Sequence, residues 1–323
     1  AVGLGLAAIA LVAVALLSLA VGSKQIPLVT VVHSLLHGGS SDDAVVVRSL
    51  RLPRTLLGLS VGAALGAAGA LMQSLTRNPL ADPGILGVNA GAAAAVVTAI
   101  GVLHLTNPSV YVWFALLGAA IASVLVYLLG SRGRAAASAV RLTLAGAAIS
   151  AALGAFISGL VLLNQTTFNS FRFWSVGALA GRTMSVLYQT GPFLLAGAVV
   201  ALALARPLNA LALGEDAGRA LGAHPGRTRA FGVLSVTLLC GAATAAAGPI
   251  GFVGLTVPHV ARSITGPDQR WVLPYSMVLA PILLLAADIV GRVVARPGEI
   301  EVGIVTAFVG APVFILLARR RMA

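Results

Sequence analysis

The sequence predicts an all-α polytopic membrane protein with about ten transmembrane helices. Of its 323 residues, 59% are hydrophobic and only 9% are charged, whereas a soluble domain carries about 25% charged residues. Apolar runs recur at about the length that crosses a bilayer as a helix. In hydrocarbon, only helices and closed barrels satisfy all of their own backbone hydrogen bonds. These runs lack the alternation of polar and apolar residues that is typical of barrel strands. We therefore expect one helical transmembrane domain over residues 1–323.

Ten apolar segments are separated by joints that hold most of the charged residues. The predicted spans are 2–22, 55–75, 84–103, 109–129, 142–163, 186–205, 230–247, 249–262, 272–290 and 303–318. The first lacks the basic start and good cleavage site of a signal peptide, so we expect it to span. Because the chain begins without Met, we also expect residues upstream of it. The eighth follows Gly248-Pro249 and is short, so we expect a broken or tilted element inside the protein.

The basic residues indicate an orientation. With the N-terminus inside, Lys and Arg divide roughly 13 to 8 in favour of the inner joints, so the positive-inside rule places both termini in the cytoplasm. The same rule accounts for the net charge of +12 without a nucleic-acid partner. Arg48, Arg51 and Arg54 break the rule at the outer mouth of the second span. They are typical either of interfacial snorkelling or of docking to an acidic external partner.

Small residues and turn formers shape the helices and their joints. Gly58, Gly62 and Gly66 lie four residues apart, a spacing that lets helix backbones approach closely in lipid. In the joint 77–87, Asn78 and Asp82 can cap the backbone. We interpret both features as structural.

The joint 211–229 is predicted to contain a short helix between Gly214 and Gly222. Glu215 and Asp216 would occupy its first turn, where the helix dipole favours acidic residues. Ala217, Ala220 and Leu221 would form an apolar edge. Two interpretations fit this pattern equally well: a helix that enters a partner's groove, and a solvated loop.

Motifs for catalysis are absent from the sequence. There is no Walker loop for ATP, and no histidine pairs with a carboxylate at metal-ligand spacing, so we expect a chain that is not an enzyme and holds no metal. Cys240 is the single cysteine, which excludes an internal disulfide. Asp288 precedes Arg292 by four residues, which predicts an ion pair. Since the helix centres hold few ionisable residues, a proton-coupled carrier is disfavoured.

Five stretches resemble the FecCD/BtuC family of type II ABC importer permeases. They are RLPRTLLGLSVGAALGAAGALMQSLTRNPLADPGILGVNAGA (51–92), FWSVGALAGRT (173–183), LALGEDAGRALG (211–222), GPIGFVGLTVPHVAR (248–262) and RPGEIEVGIVTAFVGAPVFILL (296–317). The resemblance implies a subunit of the bacterial cytoplasmic (inner) membrane that dimerises around a central path. Its implied partners are a second permease, two ATPase subunits and an extracytoplasmic substrate-binding protein. ATP and Mg²⁺ would bind the ATPase, with no cofactor on this chain.

The resemblance also implies a cargo and its alternatives. The segment NPLADPGILGVNAGA is most similar to the ferric enterobactin branch, whose permeases commonly form heterodimers; a homodimer is the other arrangement. Haem and cobalamin are the alternative cargoes, and an ion-coupled carrier working alone is the alternative of another class. Glu301 stands where the family usually has Pro, which would alter the stiffness of the last outer loop.

Three groups of residues are assigned from this resemblance and from polarity. Docking to the binding protein is expected at Arg51, Arg54 and Arg292. Coupling to the ATPase is expected at Leu213, Gly214, Glu215, Asp216, Ala217, Arg219, Leu221 and Gly222. A bulky chelate needs a wide path lined by neutral polar groups, which we expect at a subunit interface beside the fifth span. The candidates are Ser158, Asn164, Gln165, Arg172 and Trp174, although Trp174 in an ordinary outer loop would instead be an interfacial anchor.

Overall fold

The computed structural model of the chain describes residues 2–22, 24–39, 41–105, 107–131 and 139–319, and this part is helical. Its α-helices, in chain order, are α1 (Val2–Ala20), α2 (Leu28–His37), α3 (Asp42–Val45), α4 (Leu52–Thr76), α5 (Val88–Gly101), α6 (Pro108–Ser131), α7 (Ala139–Leu163), α8 (Gln165–Ser175), α9 (Met184–Ala203), α10 (Ala205–Ala212), α11 (Glu215–Ala220), α12 (Pro225–Ala247), α13 (Val253–Thr265), α14 (Gln269–Val294) and α15 (Val302–Arg319). A π-helical turn, Val46–Arg51, precedes α4, and a 3₁₀ turn, Pro83–Leu86, precedes α5.

Each of the ten predicted spans coincides with a helix. Within the described residues, seven helical segments are long and apolar enough to cross a membrane. The remaining three predicted spans correspond to α5, α13 and α15, which are shorter over their described lengths. Four basic residues used to predict the orientation, Arg132, Arg134, Arg320 and Arg321, lie outside the described residues.

The second span begins earlier than predicted. Residues Asp42–Thr76 form one continuous helical segment of 35 residues, so Arg51 and Arg54 lie within a helix rather than in a loop at its mouth. Pro53 does not end the helix, because it stands in the first turn of α4 directly after the π-helical turn. The Leu52 N–H donates to the carbonyl of Val47, five residues back, which carries the chain across this junction.

The eighth span is the short interior element that the sequence predicts, but it is shifted along the chain. Helix α13 begins at Val253 because Gly248 and Phe252 both adopt left-handed backbone conformations, with φ of 77° and 67°. A non-glycine residue rarely adopts this conformation. The break therefore extends over residues 248–252 rather than ending at Pro249.

Helix α4 lies at the centre of the bundle and packs against α9, α12, α13 and α14. Its glycines allow this close packing: a Cβ on Gly62 would lie 2.6 Å from the Cα of Pro281 in α14. A Cβ on Gly58 would lie 2.5 Å from Leu285 of the same helix. The packing interpretation of the glycine row is therefore confirmed.

Candidate functional site

One end of the bundle is organised around a buried carboxylate, Asp288 of α14, which is 1% exposed. Arg54 of α4 donates to both of its oxygens at 2.8–3.1 Å, and Arg292 lies 2.9 Å from Oδ2. Arg54 also pairs with Glu299 at 2.7 Å. The predicted ion pair between Asp288 and Arg292 is confirmed. Charge-assisted bonds of this kind fix the relative positions of the helices that carry them.

Two arginines of this end also complete the C-terminus of α1, where the last carbonyls of a helix have no partner within it. Arg51 Nη1 donates to the carbonyls of Leu19 and Ala20, both at 2.7 Å. Arg292 Nη1 donates to those of Ser18 and Val21 at 2.9 and 2.8 Å. Positive groups at a helix C-terminus also complement the helix dipole.

The three arginines predicted to dock a binding protein are therefore engaged within the chain. Arg51 is 6% exposed and Arg292 is 2% exposed, while the Arg54 side chain is 11% exposed. The structure brings the three together, which the sequence predicted, but it buries them, which the sequence did not. The docking assignment stays a prediction.

A cavity of about 480 Å³ opens beside this cluster. Its charged lining residues are Lys24, Arg51, Arg54, Arg182, Arg292 and Glu299. Arg182 is held on the loop between α8 and α9, and burial lowers its pKa while the charge of Glu301 opposes that shift. Burial likewise raises the pKa of Glu301, against the positive charge of Arg54. The cavity is thus a recess lined mostly by cations, which favours a negatively charged ligand.

The opposite end of the bundle carries the short helix that the sequence predicts. Helix α11 begins after Gly214, whose φ is 114°, and ends before Gly222, whose φ is 81°. Glu215 pairs with Arg229 of α12 at 2.5 Å and with Arg219 at 3.3 Å. Arg77, just after α4, donates to the carbonyl of Leu211 at 2.7 Å. These bonds fasten α10 and α11 to the ends of α4 and α12.

Helix α11 and the residues that flank it expose apolar side chains on their outer side. Leu213 is 70% exposed and Leu221 is 65% exposed, and Ala217 and Ala220 are also exposed. Gly218 is the buried contact, where an added Cβ would lie 2.9 Å from Leu211. Exposed leucines on either side of a short anchored helix are typical of an interaction surface.

The two ends are separated by the length of α4. This helix has 25 residues and is therefore about 37 Å long at 1.5 Å per residue. The arginine cluster surrounds its first turn, and Arg77 links its last turn to α10. The two candidate surfaces thus lie on opposite sides of an apolar layer about as thick as a bilayer.

The residues predicted to line a path lie on α7 and α8, and four of them are accessible. Ser158, Gln165 and Arg172 are exposed, and Asn164 is half-buried. Asn164 begins α8 by accepting hydrogen bonds from the N–H groups of Thr166 and Thr167 at 2.9 and 3.1 Å. An N-cap followed by an amphipathic run is the signal that could have predicted α8.

Trp174 corrects one part of that prediction. Its side chain is 4% exposed and belongs to the hydrophobic core. It stacks on Phe171, with ring centroids 5.9 Å apart. Trp174 therefore anchors α8 to the bundle instead of facing a path or the interface of the membrane.

Sequence reasoning missed three groups of the arginine cluster: Ser18, Arg182 and Glu299. Ser18 is buried and accepts a hydrogen bond from Arg292 across 274 positions. Such contacts depend on how helices pack, and no spacing in the sequence predicts them. An acidic residue just before the last span was the available signal for Glu299.

Comparison with known proteins places the chain in a family. The model of the FecCD transport family matches residues 10–320. The ferric enterobactin transport system permease protein FepD of Escherichia coli K12 is 48% identical over 318 residues, covering 98% of this chain and 94% of FepD. A Bacillus subtilis protein named "Probable siderophore transport system permease protein YfiZ" is 44% identical, covering 87% of this chain and 84% of the relative.

A solved structure supports the same relationship. A structure titled "An inward-facing conformation of a putative metal-chelate type ABC transporter" matches with a TM-score of 0.85 and 28% identity, covering 98% of both chains. Relatives named for cobalamin import and for hemin transport also occur. With a family match over nearly its whole length, this chain belongs to the FecCD transport family.

Proposed function

We propose that this chain is the membrane-spanning permease subunit of an ATP-driven importer that carries ferric siderophores across the bacterial cytoplasmic membrane. The observation that carries the proposal is the end-to-end similarity to a ferric enterobactin permease. The chain is a conduit and not a catalyst: it has no Walker loop, so ATP and Mg²⁺ bind a partner ATPase.

Each permease presents its α11 end to one ATPase subunit, so the complex contains two ATPase subunits. Its exposed Leu213, Ala217 and Leu221 would enter an apolar groove of the ATPase. The ion pair of Glu215 with Arg229 supports this role, because it anchors the helix to α12. Motion of the ATPase would then reach the bundle through bonds rather than through a flexible loop. In this arrangement the α11 end and both termini are cytoplasmic.

The arginine end is the surface for an extracytoplasmic binding protein that delivers the chelate. The cationic cavity supports this role, since a recess lined by cations attracts acidic side chains and steers their approach. Arg51, Arg54 and Arg292 shape the recess by holding α1, α4 and α14 together.

The path for the cargo lies between two permease subunits, in a heterodimer or a homodimer. Little of α7 is buried within this chain, which supports a partner beside it. Single cysteines at Ser158 and Asn164 in a Cys240→Ala background should crosslink to the second permease and block uptake. A single cysteine at Val12, an exposed residue of α1, is the control and should react only with lipid-phase reagents. If Ser158 and Asn164 behave as Val12 does, α7 does not line the path.

Uptake by cells tests the cargo. Cells that lack their own siderophore permeases would express this chain with its partner subunits and receive radiolabelled ferric enterobactin. We expect uptake of this catecholate, with ferric hydroxamates, haemin and cobalamin transported at no more than background. Preferred uptake of haemin or cobalamin would contradict the proposed identity of the cargo but would still support a transport function.

A further inference from the structure

Two histidines lie four residues apart on α2, the helix between the end of α1 and the start of the second span. His33 and His37 are both exposed, and their rings stack with centroids 4.8 Å apart. Neither ring forms a hydrogen bond or an ion pair with another described residue. The fold therefore makes no use of the ring nitrogens of this pair, which stay available to a ligand.

Helix α2 holds the two histidines on a fixed support. Its opposite side is buried, with Val31 at 0% and Ser34 at 2% exposure, and it packs against α1, α3 and the π-helical turn. Side chains four residues apart on a helix are neighbours, with Cβ atoms about 5–6 Å apart. The backbone positions of both rings are thus set in advance, and sites built on helices are more precise than sites built on loops.

The separation of the rings fits joint binding of one metal ion. Two imidazoles that bind the same Zn²⁺ through nitrogens at about 2.1 Å hold their centroids roughly 4.5–5 Å apart, which includes the observed 4.8 Å. Each ring must still turn about its Cβ–Cγ bond to aim a nitrogen at the ion, and this torsion has a broad energy minimum. Two histidines at this spacing on one helix are also the pair by which zinc metalloproteases hold their ion.

The chemistry of the pair defines the class of ion. Neutral imidazole nitrogens suit Cu²⁺, Ni²⁺ and Zn²⁺, whereas Mg²⁺ and Ca²⁺ prefer oxygen ligands. A charged group lies beside the pair: a Cβ on Gly38, which follows His37, would lie 3.0 Å from the guanidinium of Arg48. Because this positive charge opposes the binding of any cation, we expect Arg48→Gln to leave metal affinity unchanged or to raise it.

We propose that His33 and His37 form a binding site for a divalent late transition-metal ion, with water in the remaining coordination positions. The site is separate from the path of the cargo, and it does not depend on the proposed function, which concerns iron carried inside a chelate. It revises the expectation that the chain holds no metal, because that expectation considered histidines only beside carboxylates. In the proposed orientation the pair lies on the extracytoplasmic side.

Metal titration of the full chain in lipid nanodiscs, purified without a histidine tag, tests the proposal. Calorimetry with ZnCl₂ should show binding to the wild type, and MgCl₂ should show none. We expect His33→Ala and His37→Ala each to weaken Zn²⁺ binding on the order of tenfold or more, because the second imidazole binds as part of a chelate. His104→Ala is the matched control, since His104 is exposed but has no histidine four residues away. It should bind Zn²⁺ as the wild type does.

Spectroscopy of bound Cu²⁺ reports the ligands directly. The electron paramagnetic resonance spectrum should show coupling to two imidazole nitrogens in the wild type and to one in either alanine variant. An unchanged spectrum in both variants would show that the ion binds elsewhere and would overturn the proposal.

A relocated pair separates the geometry of the site from the mere loss of a histidine. Val29 is 82% exposed and precedes His33 by four residues on the same helix. Adding Val29→His to His37→Ala rebuilds the pair one turn earlier and should restore both Zn²⁺ binding and the two-nitrogen spectrum. No Zn²⁺ binding by the wild type, an equal loss for His104→Ala, or no recovery with the relocated pair would each overturn the proposal.

The outcome is distinguishable from failure of the proposed function. Normal uptake of a ferric chelate by a chain that binds no Zn²⁺ would contradict this inference alone. Zn²⁺ binding that depends on both histidines, in a chain that transports no chelate, would contradict the transport proposal alone.

Discussion

Asp288 illustrates how single residues hold the arginine end together. A carboxylate that is 1% exposed is costly to bury unless its charge is compensated. Here it is compensated twice, by Arg54 from α4 and by Arg292 from its own helix. Arg54 also pairs with Glu299, and Arg292 also donates to the end of α1. One buried charge therefore ties together three helices and the loop before α15.

Replacing this carboxylate should be strongly destabilising. Asp288→Asn keeps the size of the side chain but leaves two buried arginines without their shared anion, which costs about 3 kcal/mol or more in free energy of unfolding. The measurement is denaturant unfolding of the purified chain in detergent micelles. Asp43→Asn is the control, since its pair with Lys24 is largely exposed and should contribute at most about 1 kcal/mol. Equal losses for the two variants would show that Asp288 does not organise this end.

At the scale of elements, close helix packing depends on glycine. The backbone of α14 passes α4 so closely that a Cβ on Gly62 would lie 2.6 Å from the Cα and 2.7 Å from the N of Pro281. Neither of these is the flexible end of a side chain, so the helices themselves would have to separate. In lipid, helices gain association free energy from such contacts and not from a hydrophobic effect between them.

An alanine at this position should therefore destabilise the bundle. We expect Gly62→Ala to lower the free energy of unfolding by about 1–3 kcal/mol through overpacking. Gly5→Ala in α1 is the matched control, because no atom lies within 4 Å of its added Cβ. There the better helix propensity of Ala should leave stability unchanged or raise it by up to about 1 kcal/mol. Losses of the same sign and size would contradict the packing account. Both variants are compared by unfolding in micelles.

For helix α11 we expect the opposite result, a loss of function without a loss of stability. The outer face of this helix is important only when a partner is present. Ala217 is exposed, so Ala217→Asp should change the free energy of unfolding by no more than about 0.5 kcal/mol. A charge in an apolar groove should nevertheless detach the ATPase or uncouple transport from hydrolysis. Copurification with the ATPase and the transport rate are the two readouts, with Ala217→Ser as the conservative control. Normal values of both for Ala217→Asp would exclude α11 from the coupling surface.

At the scale of the whole molecule, the sequence predicted much of the architecture. Apolar runs identify membrane helices because the bilayer fixes their length and composition. The pair of Asp288 with Arg292 was predictable because the two residues are four apart on one helix. Helix α11 was predictable because Gly214 and Gly222 bracket it and Glu215 and Asp216 occupy its first turn. Each of these features depends on residues that are close together in the sequence, so run length, residue spacing and flanking glycines are enough to predict it.

The rest depended on contacts between distant parts of the chain. Arg54 and Asp288 are 234 positions apart, and no spacing rule relates them. The burial of Arg51 against the end of α1 follows from the continuous helix Asp42–Thr76, whereas the sequence predicted a span that begins at residue 55. Trp174 faces the core because α8 is a helix and not a loop. Long-range packing, not local propensity, decides which side chains are accessible at the candidate site.

We propose that this chain transports only as part of an ATP-driven complex. The most direct measurement is uptake of ferric enterobactin into proteoliposomes that hold this chain with its partner permease and ATPase, with the binding protein outside. We expect uptake that requires ATP in the lumen and stops when the Walker lysine of the ATPase is replaced. An imposed proton gradient without ATP should give none. Uptake by this chain without the ATPase, driven by the proton gradient, would show that it is an ion-coupled carrier instead.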